Sequence, residues 1–241
     1  MRNKRVNAIA IRCFALLVAL TMFCRARAQD AATTYSYTKL APVDQYLMAD
    51  RDAEIALARS AAPESIARDA EVLVLARHGF ETAVKGKNGF VCIVGRSWTS
   101  GPDFWNPKVR VPLCVNAPAR AYLLRITKES EWILAGRTLA QLSEAVRAGV
   151  ASKELPPMAP GGMCYMMSKQ GYGGEGVPHW PSHLMFFASD TNPAVWGANL
   201  PGSPVAAYAD ADECFTTFVV PVQYWSDGTE SREASGVEHH H

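Results

Sequence analysis

The dipeptide Asn88-Gly89 lies between two runs of strand-forming residues. Asn and Gly both tolerate the positive φ angles of a two-residue turn, so this pair is a strong short-range signal for a β-hairpin. We therefore predict that residues 80–85 pair with residues 90–95 as a hairpin. An apolar run over residues 72–76 predicts a further strand just before it.

More strand-like runs follow in the last third of the chain, where clusters of Gly, Pro and Asp separate them. Strand signals that follow one another directly favour antiparallel pairing. Together with the helical signals, they predict an α+β fold: a single domain with a mostly antiparallel twisted sheet, an N-terminal helix and a few mid-chain helices on one face. We expect helices at 42–62 and at 119–127, with a further turn from Thr127 to Gly136. Another helix should begin at the capping box formed by Thr138 and Gln141. An aromatic loop is expected at 96–116, and strands are expected at 163–167, 184–187, 204–208 and 215–224.

The first 28 residues have the order of a secretory signal peptide. A basic start precedes the apolar run Phe14–Phe23, and Ala26–Ala28 has the small-x-small form that signal peptidase cleaves. That run of about ten residues is too short for a membrane span, which needs about twenty. Cleavage near Ala28 predicts a secreted or periplasmic protein. It would leave an extended lead-in at 29–41, one globular α+β domain at 42–228, and a flexible tail at 229–241 whose terminal histidines resemble a partial purification tag.

Charge restricts the partners of the cleaved product. The chain has 24 basic and 23 acidic residues, and six of the basic ones lie in residues 1–28, so the remainder has 18 basic and 23 acidic residues and a net charge of −5. Nucleic acids and anionic lipids require clustered Lys and Arg. The sequence therefore predicts no nucleic-acid partner and no membrane span after signal cleavage, and leaves a small molecule or an envelope protein as the partner.

Four cysteines follow the leader, and an even number in an exported chain is typical of disulfide pairing. Three connectivities are open among them, and buried free thiols are the alternative. The disulfide candidates are Cys92, Cys114, Cys164 and Cys214.

Two histidines four residues apart, His179 and His183, could share a metal ion if the chain turns between them. Pro181 argues against a helix there, and a straight strand would hold the two about 13 Å apart. Glu175 and Asp190 could complete such a site with carboxylate oxygens. A divalent metal at this pair is the one cofactor that the sequence leaves open, and two hydrogen-bonded histidines without a metal are the alternative.

Cys164 follows Gly161 and Gly162, and a Gly-rich turn can expose a thiol and present backbone N–H groups to an oxyanion. With His179 or His183 as base, Cys164 would be the nucleophile of a hydrolase. The alternative is that the apolar string around Cys164 is simply a core strand.

Tryptophans in loop-like stretches have two interpretations. They can plug the ends of the sheet, since tryptophan is usually mostly buried, or they can form a binding surface, because indole rings stack on flat ligands while polar neighbours orient them. The candidates are Trp98, Trp105, Trp180 and Trp196, with polar groups from 96–106 and 175–199. The sequence thus leads to an exported small-ligand-binding module with an aromatic-rimmed pocket. The alternatives are a secreted hydrolase that uses His179 and His183 with a metal or with Cys164, and a structural envelope protein that acts through a protein partner. Whether the protein is an enzyme is left open.

Overall fold

The computed structural model describes residues 37–99, 103–175, 179–189, 191–210 and 215–231, all within one compact unit that spans residues 36–241. The predicted signal peptide at 1–28, most of the predicted lead-in at 29–41 and the predicted tail beyond residue 231 lie outside the described residues, as do Asp190 and Cys214. Among the described residues, no helix combines the length and apolarity required to cross a membrane.

In the described part of the chain, eight strands form one mixed sheet in the order β2-β1-β3-β4-β5-β6-β8-β7. The β1–β3 pair is parallel, and the other neighbouring strands are antiparallel. The predicted α+β class is confirmed, as a single domain with a mostly antiparallel sheet. The strands are β1 Glu71–Ala76, β2 Gly79–Val84, β3 Val91–Gly95, β4 Val111–Val115, β5 Gly162–Met166, β6 His183–Ser189, β7 Ala206–Asp210 and β8 Phe215–Pro221.

The predicted hairpin of residues 80–85 with 90–95 is wrong, because β2 and β3 lie on opposite sides of β1. β2 instead forms a hairpin with β1, in which Ala76 pairs with Gly79. The segment with Asn88-Gly89 crosses the start of β1, where the Asn88 amide donates to the carbonyl of Ile66 at 2.7 Å. Gly89 has the positive φ expected of it, 80°, but the turn joins strands that do not pair with each other.

Four α-helices accompany the sheet in the described residues: α1 Arg51–Arg59, α2 Glu64–Ala67, α3 Arg120–Leu134 and α4 Leu139–Ser152. The helix predicted from residue 42 begins later, because the Asp50 carboxylate caps α1 by accepting from the backbone N–H groups of Asp52 and Ala53. Thr127 lies inside α3 rather than at a new cap, since its hydroxyl bonds back to the Leu124 carbonyl. The predicted capping box of Thr138 and Gln141 opens α4.

β4 lies inside the stretch 96–116 that we predicted to be a loop. It is a run of five buried apolar residues that contains Pro112, which has no N–H group to donate. Pro112 is tolerated because β5 pairs with β4 only at Cys114 and Val115, so the missing donor falls where no second neighbour requires it.

The two faces of the sheet have separate cores. Ile93 and Leu113 point to the face covered by α3, while their neighbours Val94 and Cys114 point to the face covered by α1 and α2. This alternation follows from the two-residue period of a strand. The mid-chain helices α3 and α4 therefore pack on one side, and the N-terminal helices cover the other.

A disulfide joins Cys92 in β3 to Cys114 in β4, at positions that are directly paired in the sheet. This is one of the pairings that the four cysteines allow. Cys164 is a free buried thiol in the described structure, and Cys214 lies outside it.

The segment after β8 returns to the beginning of the domain. Ser226 donates its backbone N–H to the carbonyl of Met167 at 2.9 Å and its hydroxyl to the carbonyl of Ser60 at 2.5 Å. Met167 in turn donates its N–H to the Ala61 carbonyl at 2.9 Å. The end of α1, the residue after β5 and the final segment thus meet at one place.

Candidate functional site

A cavity of about 280 Å³ lies between α3, the segment after β3 and the strand pair β7–β8. Its volume is close to the lower end of the range for small-molecule pockets. Four aromatic residues and two oppositely charged ones account for most of its wall: Trp98, Tyr122, Tyr208, Phe215, Arg125 and Glu129.

The Trp98 indole is fixed in the cavity wall by hydrogen bonding and by packing. Its Nε1–H donates to the hydroxyl of Ser130 at 2.9 Å, and that hydroxyl donates to the carbonyl of Ile126 at 2.7 Å. The ring also packs on Tyr46 with a centroid distance of 4.9 Å. Trp98 is only 6% exposed, so it lines the cavity as a pre-ordered ring rather than as a mobile side chain.

Two residues before Trp98, the fully buried Arg96 anchors this segment. Its guanidinium donates to the Glu54 carboxylate at 2.8 Å and to the Tyr46 carbonyl at 2.7 Å, and it also bonds the carbonyl of Val94. Burial lowers the pKa of Arg96, and the adjacent Glu54 carboxylate opposes that shift. The pair ties α1 to the end of β3, which sets where Trp98 lies.

The α3 wall of the cavity is built from Tyr122, Arg125 and Glu129, whose spacing puts them on one face of the helix. The Tyr122 ring stacks on Phe187 at 4.2 Å. The Arg125 guanidinium lies 5.2 Å from the ring centroid of Phe215, within the range of a cation–π contact. Arg125 is only 3% exposed. It is therefore a buried charged group in a wall that is otherwise largely aromatic.

The opposite wall comes from the edge of the sheet. Tyr208 in β7 pairs with Thr217 in β8, and both residues line the cavity. Tyr208 is 56% exposed and stands at the rim, whereas Phe215 is buried at the wall. The cavity can therefore take a ring between aromatic surfaces and hydrogen-bond its edges through the Thr217 hydroxyl and the charged α3 side chains.

The four predicted tryptophans do not share one pocket. Trp98 lines the cavity, but Trp105 packs edge-on against Phe104 and Trp180 packs against the α3-side core. Trp196 stacks on Phe218 at 4.1 Å, on the sheet face opposite α3. Sequence reasoning missed Tyr122, Arg125, Glu129, Tyr208 and Phe215, of which only the α3 triplet has a recognisable spacing.

The two histidines occupy different surroundings. His183 begins β6 and is buried, and its Nδ1–H donates to the carbonyl of Pro181 at 2.6 Å. Burial lowers the pKa of His183, and the Pro181 hydrogen bond opposes that shift. His179 packs edge-on against Trp225 at 5.4 Å. Within the described residues no three His, Cys, Asp or Glu side chains converge on a metal position, and Asp190 lies outside them.

Cys164 lies in β5 with no solvent exposure, and its sulfur lies 3.5 Å from the carbonyl oxygen of Tyr165. Burial raises the pKa of this thiol strongly. Because the thiolate is the nucleophilic form and a substrate needs access to it, this geometry does not support a cysteine hydrolase.

A fold supports many functions, so the function of this chain has to be sought in its sites. The cavity at Trp98 brings together the aromatic and charged groups described above. Comparison with protein-family models, with curated proteins and with solved structures finds no match to this chain.

Proposed function

We propose that this protein binds a small, flat organic molecule in the cavity between α3 and β7–β8. The observation that carries the proposal is the convergence of four aromatic side chains and the Arg125 and Glu129 side chains on one cavity of about 280 Å³. Aromatic walls with a few placed polar groups are typical of small-molecule sites.

The size and lining of the cavity favour a ligand with a single ring and polar substituents. An aromatic metabolite or a monosaccharide has that shape, because either one presents a flat apolar surface to an aromatic wall. Arg125 and Glu129 offer charges of both signs within one helix face, so substituents that donate and substituents that accept hydrogen bonds can both be oriented.

The test is a titration of the purified protein with aromatic carboxylates, aromatic amines and monosaccharides while tryptophan fluorescence is recorded. We expect saturable quenching by at least one compound, an affinity about tenfold weaker in Tyr208→Ala, and loss of the signal in Trp98→Phe. Trp196→Phe is the matched control, since Trp196 lies outside the cavity and its replacement should leave the affinity unchanged. A flat response across the panel, or equal affinities in Tyr208→Ala and the parent protein, contradicts the proposal.

We also propose that the protein is exported and that its leader is removed near Ala28. The basic, apolar and small-residue order of residues 1–28 supports this, and so does the Cys92–Cys114 disulfide, because disulfides persist in oxidising compartments. N-terminal sequencing of the native protein is expected to begin at Gln29. Retention of Met1 in the native protein contradicts export by cleavage.

A further inference from the structure

A second cavity, of about 530 Å³, lies where the end of α1 meets α2, the residues after β5 and the final segment of the domain. The helices α1 and α2 cover the sheet face opposite α3, so this cleft and the aromatic cavity are on different sides of the sheet. We call the second cavity the polar cleft, because most of its lining residues are charged or carry a hydroxyl or an amide. They include Arg59, Arg68, Ser60, Ser168, Lys169 and Asp227.

The serines at the cleft can accept hydrogen bonds from a ligand but have few protons to give. The Ser60 hydroxyl donates to the Leu57 carbonyl at 2.6 Å, so in its 2.6 Å contact with the Ser168 hydroxyl the proton comes from Ser168. The Ser226 hydroxyl donates its proton to the carbonyl of Ser60. The Ser168 hydroxyl oxygen also accepts from the backbone N–H of Gln170 at 3.1 Å. The lone pairs that remain on the serine oxygens suit the O–H groups of a ligand.

The charged groups of the cleft are not balanced among themselves. Lys169 and Asp227 form an ion pair, which holds the pKa of Asp227 well below its usual range. Arg59 and Arg68, by contrast, form no ion pair with any described residue. The Arg59 guanidinium donates one terminal N–H to the carbonyl of Arg68 at 3.4 Å, while its Nε atom is buried without a hydrogen-bond partner in the described structure. Glu64 is the remaining carboxylate of the cleft lining. It is exposed and likewise has no ion-pair partner in the described structure.

We infer that this cleft binds a small hydroxylated oxyanion, such as a sugar acid or a sugar phosphate. The Arg68 guanidinium, together with the N–H groups of Arg59 that do not bond the Arg68 carbonyl, supplies donors that match a carboxylate or a phosphate. The serine oxygens accept from the hydroxyl groups of the same molecule. A neutral sugar lacks the charge, and inorganic phosphate lacks the ring hydroxyl groups of a sugar, so each should bind more weakly than a molecule with both.

The experiment is isothermal titration calorimetry of the Tyr208→Ala variant, in which binding at the aromatic cavity is weakened, with four probes: glucuronate, glucose 6-phosphate, glucose and inorganic phosphate. The charge variants described next are made in the same background. We expect saturable binding of glucuronate or glucose 6-phosphate, tighter than that of glucose and of inorganic phosphate; which of the two binds decides between a carboxylate and a phosphate ligand. If neither anionic sugar binds, or if glucose binds as tightly as both, the inference is overturned.

Charge variants with opposite expected signs separate binding from a general loss of structure. Arg68→Gln, at an exposed position, should weaken binding about tenfold, the loss expected when a charge-assisted hydrogen bond is removed. Glu64→Gln should strengthen binding, because it removes a repelling carboxylate. Arg77→Gln is the matched control, since Arg77 is an exposed cation in the β1–β2 turn and not in the cleft lining. Unchanged affinity in Arg68→Gln, or weaker binding in Glu64→Gln, overturns the inference.

Discussion

The guanidinium of Arg96 is a fully buried charge, and its hydrogen-bond partners compensate for the loss of water. The guanidinium bonds to one carboxylate and two backbone carbonyls, and Glu54 also accepts from the backbone N–H of Leu75 at 3.2 Å. A buried ion pair contributes little net stability over an apolar pair of the same size, but removal of one partner leaves a charge without compensation. Sequence reasoning gave no hint of this pair, because the two residues are far apart in the chain.

We predict that Glu54→Gln lowers the free energy of unfolding by about 3 kcal/mol, since it leaves the buried Arg96 cation without its carboxylate. Equilibrium unfolding in urea measures the change. Arg51→Gln is the control, because the Arg51–Glu81 pair is about half exposed and exposed pairs are worth less than about 1 kcal/mol. Equal effects of the two substitutions would contradict the role assigned to the buried pair.

At the scale of elements, the crossing of residues 85–90 over the start of β1 distinguishes this sheet from a simple run of hairpins. Lys87 donates its backbone N–H to the Asp69 carbonyl at 2.8 Å, and Glu71 donates its own to the Phe90 carbonyl at 2.9 Å. Gly86 lies so close to β1 that a Cβ atom there would be 2.2 Å from the Glu71 nitrogen. The crossing therefore depends on a residue without a side chain.

Gly86→Ala is predicted to lower the free energy of unfolding by about 3 kcal/mol, because backbone must move to admit the methyl group. Gly89→Ala provides a comparison in the same segment. There the nearest atom is 3.6 Å away and the cost, about 1 kcal/mol, comes from the positive φ alone. The two unfolding free energies can be compared in urea, and a smaller loss for Gly86→Ala than for Gly89→Ala would show that β1 and the crossing are not in close contact.

Short sequence motifs correctly predicted features that involve a few neighbouring residues, but they did not predict which strands pair with each other. The capping box at Thr138 and the positive φ of Gly89 involve only a few neighbouring residues, and both are present. The choice of β1 rather than β3 as the partner of β2 depends on the hairpin turn whose central residues are Arg77 and His78. Neither of them is Gly or Asn, and the glycine of this turn, Gly79, stands only at its last position. The Pro112 strand was missed because its tolerance depends on where β5 stops pairing.

For the whole molecule, the sequence predicted the fold class and one wall residue of the aromatic cavity, Trp98. The other walls come from α3 and from β7–β8, which are separated by many residues and meet only through packing. A periodic pattern in a single sequence does not predict which distant elements pack against each other. The polar cleft was missed for the same reason, because its serines come from three separate segments.

The Cys92–Cys114 disulfide joins adjacent strands of the sheet across a sequence separation of 22 residues. A loop of that size predicts a loss of about 3 kcal/mol in the free energy of unfolding when both cysteines are replaced by Ala. Unfolding with and without reductant measures it: reductant should destabilise the parent protein and leave the double variant unchanged. A parent protein equally stable in both conditions would contradict a stabilising disulfide.

The hydrogen bond from the Ser226 hydroxyl to the Ser60 carbonyl joins the segment after β8 to the end of α1. The backbone between these two residues therefore forms a loop closed by a non-covalent contact, which we call a ring. Truncation after β8 would thus open this ring as well as shorten the chain. It would free the carbonyls of Ser60 and Met167 from their partners and strip one wall from the polar cleft. Cleavage by a protease between Pro221 and Ser226 would therefore affect α1, more than 150 residues earlier in the sequence.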